Sequence, residues 1–142
     1  MGSDIPFFIR SRAALCRGRG EVMQAADDIP PAKILLLKPP FPVSTGWAYQ
    51  AWDPRAPARG TRQFHGRIEL ANDLEGPVFN KFLLLPVIKA WLLEQDEVAA
   101  AVMSGSGSTM LAVLRGDAGA LAQRANARFG ANLWTRETAL CC

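Results

Sequence analysis

The stretch Val98-Ala99-Ala100-Ala101-Val102-Met103-Ser104-Gly105-Ser106-Gly107-Ser108-Thr109-Met110-Leu111-Ala112-Val113-Leu114 holds two apolar runs around a turn of glycine, serine and threonine. Runs of this length bounded by glycine and serine predict two strands joined by a loop. Gly105 and Gly107 let the backbone enter φ > 0, so several N–H groups can converge on one anion. The hydroxyls of Ser104, Ser106, Ser108 and Thr109 add neutral donors. The same composition also makes an ordinary tight hairpin, which needs glycine only for its turn. No lysine follows the glycines, which excludes a phosphate loop of the Walker type.

Outward from this hairpin the pattern stays mixed. Lys33 to Lys38 is a compact Ile-Leu-Leu-Leu run bracketed by prolines and reads as a buried strand that Pro39-Pro40-Phe41-Pro42 ends. Before it, Ala13 to Cys16 and Glu21 to Ala25 flank Arg17-Gly18-Arg19-Gly20 and predict a hairpin. Ser44 or Thr45 caps a short helix reaching Trp52, and Asp53 to Arg67, rich in proline, arginine and glycine, reads as a surface loop. From Asn72 the spacing becomes helical, with Leu74, Val78, Phe79 and Phe82 on one face. After Pro86 a second helix carries Val87, Ile88, Trp91 and Leu92. Asp117 to Phe129 predicts an amphipathic helix with an acidic start, and Asn132 to Thr138 a closing strand. The order β-β-β-α-α-α-β-β-α-β predicts the α+β class, a mostly antiparallel sheet with helices packed on one face.

A chain of 142 residues with 49% hydrophobic and 20% charged residues has enough apolar mass for one domain with a real core, which excludes a disordered chain. The net charge of +3 is spread thinly, so it suits a small anionic ligand better than a nucleic acid, which needs a clustered basic face. Cys16 stands alone and Cys141-Cys142 form a terminal pair without ligand spacing, so reduced, cytoplasmic thiols are expected. The apolar run Ile5 to Ile9 is too short for a signal peptide or a membrane span. His65, the single histidine, lies in the arginine-rich loop and is expected to be solvent-exposed; with no cysteine or acid constellation around it, no metal site is read.

Four signatures follow one another along the chain: Gly2-Ser3-Asp4-Ile5-Pro6-Phe7-Phe8, then Ser44-Thr45 with Tyr49 four residues on, then Asn72-Asp73-Leu74-Glu75, then Ser104-Gly105-Ser106-Gly107-Ser108. Taken together they resemble the later part of the 4-diphosphocytidyl-2-C-methyl-D-erythritol kinase family, within the GHMP kinase superfamily. The resemblance covers nearly the whole chain, with Asp53 to Arg67 and the final cysteines least like the pattern. It implies an ATP-dependent kinase, using Mg²⁺-ATP, that phosphorylates a hydroxyl of a cytidine-diphosphate-linked sugar alcohol in isoprenoid (terpenoid) precursor synthesis. It further implies Asp4 as the catalytic acidic residue, able to accept or orient the proton of the attacking hydroxyl. The residue-level alternative is that Asp4 caps the turn at Ile5-Pro6. The family's cytidine pocket falls on Thr45 and on Tyr49, whose ring would stack on the base; alternatively Thr45 is an N-cap and Tyr49 a half-buried helix aromatic. The loop Ser104, Gly105, Ser106, Gly107 and Ser108 corresponds to the motif that supports substrate and phosphate positioning. Asn72-Asp73-Leu74-Glu75 marks a helix start near the site or an ordinary capped N-terminus.

In that family the ATP-binding loop and the catalytic lysine lie upstream of the aspartate motif, and none of Lys33, Lys38, Lys81 or Lys89 sits in a matching context. The expectation is therefore a single C-terminal-like domain over residues 1–142, without the N-terminal ATP-binding half and inactive alone. A fragment, a misplaced start and a truncated copy all satisfy it, with a missing N-terminal half as the natural partner. A non-catalytic nucleotide-binding α+β module and a different GHMP-type kinase are the alternatives.

Overall fold

The computed structural model describes residues 13–18, 22–26, 30–55 and 63–140. A first hairpin pairs β1 (Ala14–Arg17) with β2 (Val22–Ala25), where the sequence predicted one. Strand β3 (Ala32–Lys38) follows. Its residues alternate between two apolar environments, which explains the unbroken Ile-Leu-Leu-Leu run. Leu35 and Leu37 join the cluster shared with the helices, whereas Ala32, Ile34 and Leu36 face the other side of the sheet, against Ala100, Val113 and Leu70.

Helix α1 (Thr45–Ala51) begins behind Ser44, whose Oγ accepts from Trp47 N–H at 3.4 Å. This assigns the cap to Ser44 and leaves the hydroxyl of Thr45, the first helical residue, for other work. The predicted surface loop to Arg67 is only partly a loop. Gln63–His65 (β4) and Ile68–Leu70 (β5) form a tight hairpin with Gly66 at φ +60°, and β4 packs against the edge of the main sheet. His65 is accordingly half-buried rather than solvent-exposed, with Nε2 3.0 Å from Pro30 O.

Helix α2 (Glu75–Lys81) starts three residues later than the helical spacing suggested, and α3 (Leu84–Leu93) carries Pro86 in its first turn, where no intrahelical donor is lost. Leu85, Ile88 and Leu92 of α3 are fully buried, each contributing roughly 1.5–3 kcal/mol through burial. Phe41 and Phe82 stack at 5.5 Å, Trp47 meets Phe82 edge-on at 5.9 Å, and Lys81 Nζ lies 4.0 Å over the Trp47 ring, tying α1 to α2.

The predicted central hairpin is present as β6 (Val98–Met103) and β7 (Met110–Leu114). Helix α4 (Leu121–Phe129) begins four residues after Asp117, because Gly119 takes φ +52° and Asp117 is drawn away into an ion pair with Lys33. Strand β8 (Trp134–Leu140) closes the sheet. The main sheet is antiparallel throughout, ordered β6-β7-β3-β8, with the helices α1 to α4 sharing one core with its inner face. This is the α+β architecture expected from the sequence, with the β4–β5 hairpin as an added element. No single helix among the described residues is long and apolar enough to cross a membrane.

Candidate functional site

Thr45 and the glycine-serine loop, 61 residues apart in the chain, meet in space: Thr45 Oγ1 and Ser106 Oγ are 2.9 Å apart. In a pair of hydroxyls one proton bridges the oxygens and the second remains free, so the pair keeps one donor for a ligand. Either oxygen can take either role.

The loop is pinned at several points. Ser104 N–H donates to Thr109 O at 2.9 Å and Gly107 N–H to Ser104 O at 3.0 Å, closing a turn. Ser108 is buried, and its hydroxyl donates to Phe41 O at 2.6 Å, so it anchors the loop to the segment between β3 and α1. Gly107 has φ +83°, and a Cβ there would meet Met103 Sδ at 2.8 Å; the loop needs glycine here for both backbone conformation and space. Among the described residues, the N–H groups of Gly105 and Ser106 have no backbone acceptor. The Gly105 and Ser106 amides are therefore among the donors the loop keeps for a ligand.

Beside the loop lies an open cleft of about 500 Å³. Its walls are Tyr49 and Trp52 from the end of α1, Glu69 and Leu70 of β5 with Ala71, the turn Asn72, Asp73 and Leu74, and Val102, Met103 and Gly105 from the β6 end, so two carboxylates, Glu69 and Asp73, border it. Tyr49 is 62% and Trp52 40% exposed; Tyr49 is thus not a half-buried helix aromatic. Two large rings left in water beside an apolar floor are the ingredients of a site for a flat ligand. Trp52 carried no functional reading in the sequence, although its place three residues after Tyr49 puts both at one helix end.

Asn72 and Glu75 border the loop as well. Asn72 Nδ2 donates to Met103 O at 2.6 Å and Gly105 O at 2.7 Å, and its Oδ1 accepts from Leu74 N–H at 3.0 Å. Glu75 is buried: Oε1 accepts from Met103 N–H at 2.8 Å and Oε2 from Lys89 Nζ at 2.6 Å, the two side chains being 8% and 14% exposed. No three histidine, cysteine or acidic side chains converge on a metal position among the described residues. Asp4, the expected catalytic acid, and Cys141-Cys142 lie outside the described residues. Cys16 is free and exposed.

The shifted ionisable groups sit elsewhere. The Arg124 guanidinium, with Nη2 2.9 Å from both Glu97 oxygens, holds Glu97 below its ordinary value, and the Lys33–Asp117 hydrogen bond lowers Asp117 and raises Lys33. These are surface pairs that tie β3 and α4 to neighbouring loops.

Known proteins are similar to this chain. The 4-diphosphocytidyl-2-C-methyl-D-erythritol kinase of Methylacidiphilum infernorum is 37% identical over 149 residues, covering 96% of this chain and 50% of the relative. That of Geobacter sulfurreducens is 38% identical over 120 residues, covering 80% and 43%. The crystal structure of a 4-(cytidine 5'-diphospho)-2C-methyl-D-erythritol kinase superposes with a TM-score of 0.72 at 28% identity, covering 94% of this chain and 52% of that one. The chain is similar to one half of this kinase. No family model matches it. The chain spans about half the length of the curated relatives it matches, and a C-terminal portion of 4-diphosphocytidyl-2-C-methyl-D-erythritol kinase fits.

Proposed function

We propose that residues 1–142 form a C-terminal-like domain of an ATP-dependent kinase. It contributes the nucleotide and phosphate-positioning part of a site that phosphorylates a cytidine-diphosphate-linked sugar alcohol in isoprenoid precursor synthesis. The observation that carries this reading is that Tyr49 and Gly105, from two motifs far apart in sequence, border one ligand-sized cleft, while Thr45 and Ser106 of the same two motifs are in contact. In this reading the base stacks on Tyr49, Thr45 bonds its polar edge, and the loop Ser104 to Ser108 receives phosphate through neutral donors. Asp4 orients or deprotonates the attacking hydroxyl.

ATP with Mg²⁺ is the co-substrate. Transfer needs cationic charge against the negative charge that develops on the phosphoryl group, together with a cradle for the β- and γ-phosphates. No lysine of residues 1–142 stands in the matching context, and the relatives run to about twice this length, so this reading assigns the cationic charge and the phosphate cradle to the kinase's other half and places the reaction in the cytoplasm. The test is ADP release with Mg²⁺-ATP and 4-diphosphocytidyl-2-C-methyl-D-erythritol, for the chain alone and mixed with a separately expressed N-terminal half. Turnover only in the mixture supports the reading. Turnover by the lone chain, or none in a mixture that demonstrably associates, overturns it.

A further inference from the structure

Asn72 stands between α2 and the glycine-serine loop and uses both ends of its side chain. Its oxygen accepts from Leu74 N–H and so shapes the entry to α2. Its nitrogen bonds two carbonyls, Met103 O and Gly105 O, on either side of Ser104. A helix entry requires only the oxygen; the second pair of bonds calls for another account. The two N–H groups of one carboxamide diverge at a fixed angle, so two carbonyls held by it are fixed relative to each other.

Glu75 completes the grip from the same helix entry by accepting from Met103 N–H, while Lys89 compensates its buried charge. The peptide leading into the loop is thus held through Met103 N–H, Met103 O and Gly105 O. The next donors along the chain, Gly105 N–H and Ser106 N–H, have no backbone acceptor among the described residues. Asn72 and Gly105 also border the cleft that holds Tyr49.

We propose that Asn72 and Glu75 are positioning residues that aim the Gly105 and Ser106 amides at the phosphate end of a nucleotide seated in the cleft. This rests on the nucleotide reading given above. Because the aim concerns only phosphate, its loss weakens a nucleoside diphosphate and spares the nucleoside, whereas a general loosening of the fold weakens both.

The experiment is calorimetric titration of the whole chain with two probes, cytidine and cytidine 5'-diphosphate, for the unaltered protein and Asn72→Ser, with thermal unfolding of each. Serine keeps a hydroxyl acceptor for Leu74 N–H, is too short to bridge both carbonyls and brings no charge into the cleft. The expected result is a melting temperature within about 4 °C of the unaltered chain, a roughly tenfold loss of diphosphate affinity and unchanged cytidine affinity. Should the serine variant melt much lower, Asn72→Thr offers the same contrast with a different side chain at the cap. Equal affinities in variant and unaltered chain, or equal losses for both probes, overturn the positioning role and leave the nucleotide reading standing. Failure of the unaltered chain to bind either probe overturns the nucleotide reading and this proposal with it.

Discussion

Thr45 Oγ1 and Ser106 Oγ lie 2.9 Å apart and act as one hydrogen-bonding unit, since each hydroxyl's freedom depends on what the other does. Thr45→Val and Ser106→Ala should each weaken cytidine 5'-diphosphate binding, and the double variant should lose less than the sum. A coupling of about 0.5 kcal/mol or more is the expected non-additivity for groups in contact. Strict additivity in a titration cycle would dissolve the unit into two independent contacts.

Tyr49 leaves most of its ring in water at the rim of the cleft, an arrangement suited to receiving a base. Stacking is worth roughly 1–3 kcal/mol, so Tyr49→Ala should raise the Kd for cytidine 5'-diphosphate about tenfold or more. Tyr49→Phe should bind like the unaltered chain, because the ring does the stacking. Equal affinity of Tyr49→Ala and the unaltered chain in calorimetry removes Tyr49 from the site.

Asp4→Asn, assayed with an N-terminal half supplied, should retain ligand binding while turnover falls by about two to four orders of magnitude, the span expected for a positioned general base. Near-normal turnover would return Asp4 to a capping role.

Glu75→Ala removes the charge partner of Lys89 and the acceptor of Met103 N–H together. Stripping one member from a largely buried pair costs about 3 kcal/mol, so urea unfolding should show a markedly lower midpoint. Lys89→Met combined with Glu75→Gln should recover much of the loss, because no uncompensated charge then remains. Equal midpoints for Glu75→Ala and the unaltered chain would place this pair in water.

Glu97, held low mainly by its hydrogen bond from Arg124, binds its proton less readily folded than unfolded. Its contribution is therefore present above the ordinary glutamate value and lost as the pH falls through the depressed folded value. Asp117, lowered by Lys33, follows the same sign. Arg124→Ala should reduce stability at neutral pH and make no difference in strong acid, with a small gap that closes as salt is added. A gap that persists at acid pH would point instead to what does not titrate, the hydrogen bond from Arg124 to Gln95 Oε1 and the packing of the arginine stem.

Much of the fold is written in local pattern. The β6–β7 hairpin and β3 depend on runs that neighbouring residues carry, so the sequence predicted both; on α3 it predicted Ile88, Trp91 and Leu92, whereas Val87 is exposed and Leu85, ahead of Pro86, is buried instead. The β4–β5 hairpin escaped because its strands are three residues long and follow a stretch rich in proline and arginine that masks their alternation. The start of α4 lies four residues beyond Asp117, because an acid reads as the favourable first turn of a helix, while Asp117 answers to Lys33, 84 residues away. In the candidate site, Thr45, Tyr49 and the loop could be named from their motifs. The contact of Thr45 with Ser106 could not, nor could the grip of Asn72 and Glu75 on Met103, because the first depends on how α1 lies against the β6–β7 loop and the second on how the entry to α2 lies against the end of β6. A buried glutamate looks like any other until its lysine, 14 residues on, is seen beside it.

The place of β3 in the middle of the sheet has a consequence for biogenesis. Both of its partners, Met110–Leu114 and Trp134–Leu140, come later in the chain, so a ribosome releases this Ile-Leu-Leu-Leu strand long before either neighbour exists. During that interval it is an unpaired apolar segment of the kind that recruits other chains. Lys33, Lys38 and the prolines at 30, 31, 39 and 40 flank it and serve as gatekeepers, charged or unable to donate to a growing ladder. Replacing the exposed Pro31, Lys38 or Pro40 would leave the finished sheet nearly untouched while lowering the yield of chains that reach it, whereas Pro39 is fully buried and Lys33 pairs with Asp117.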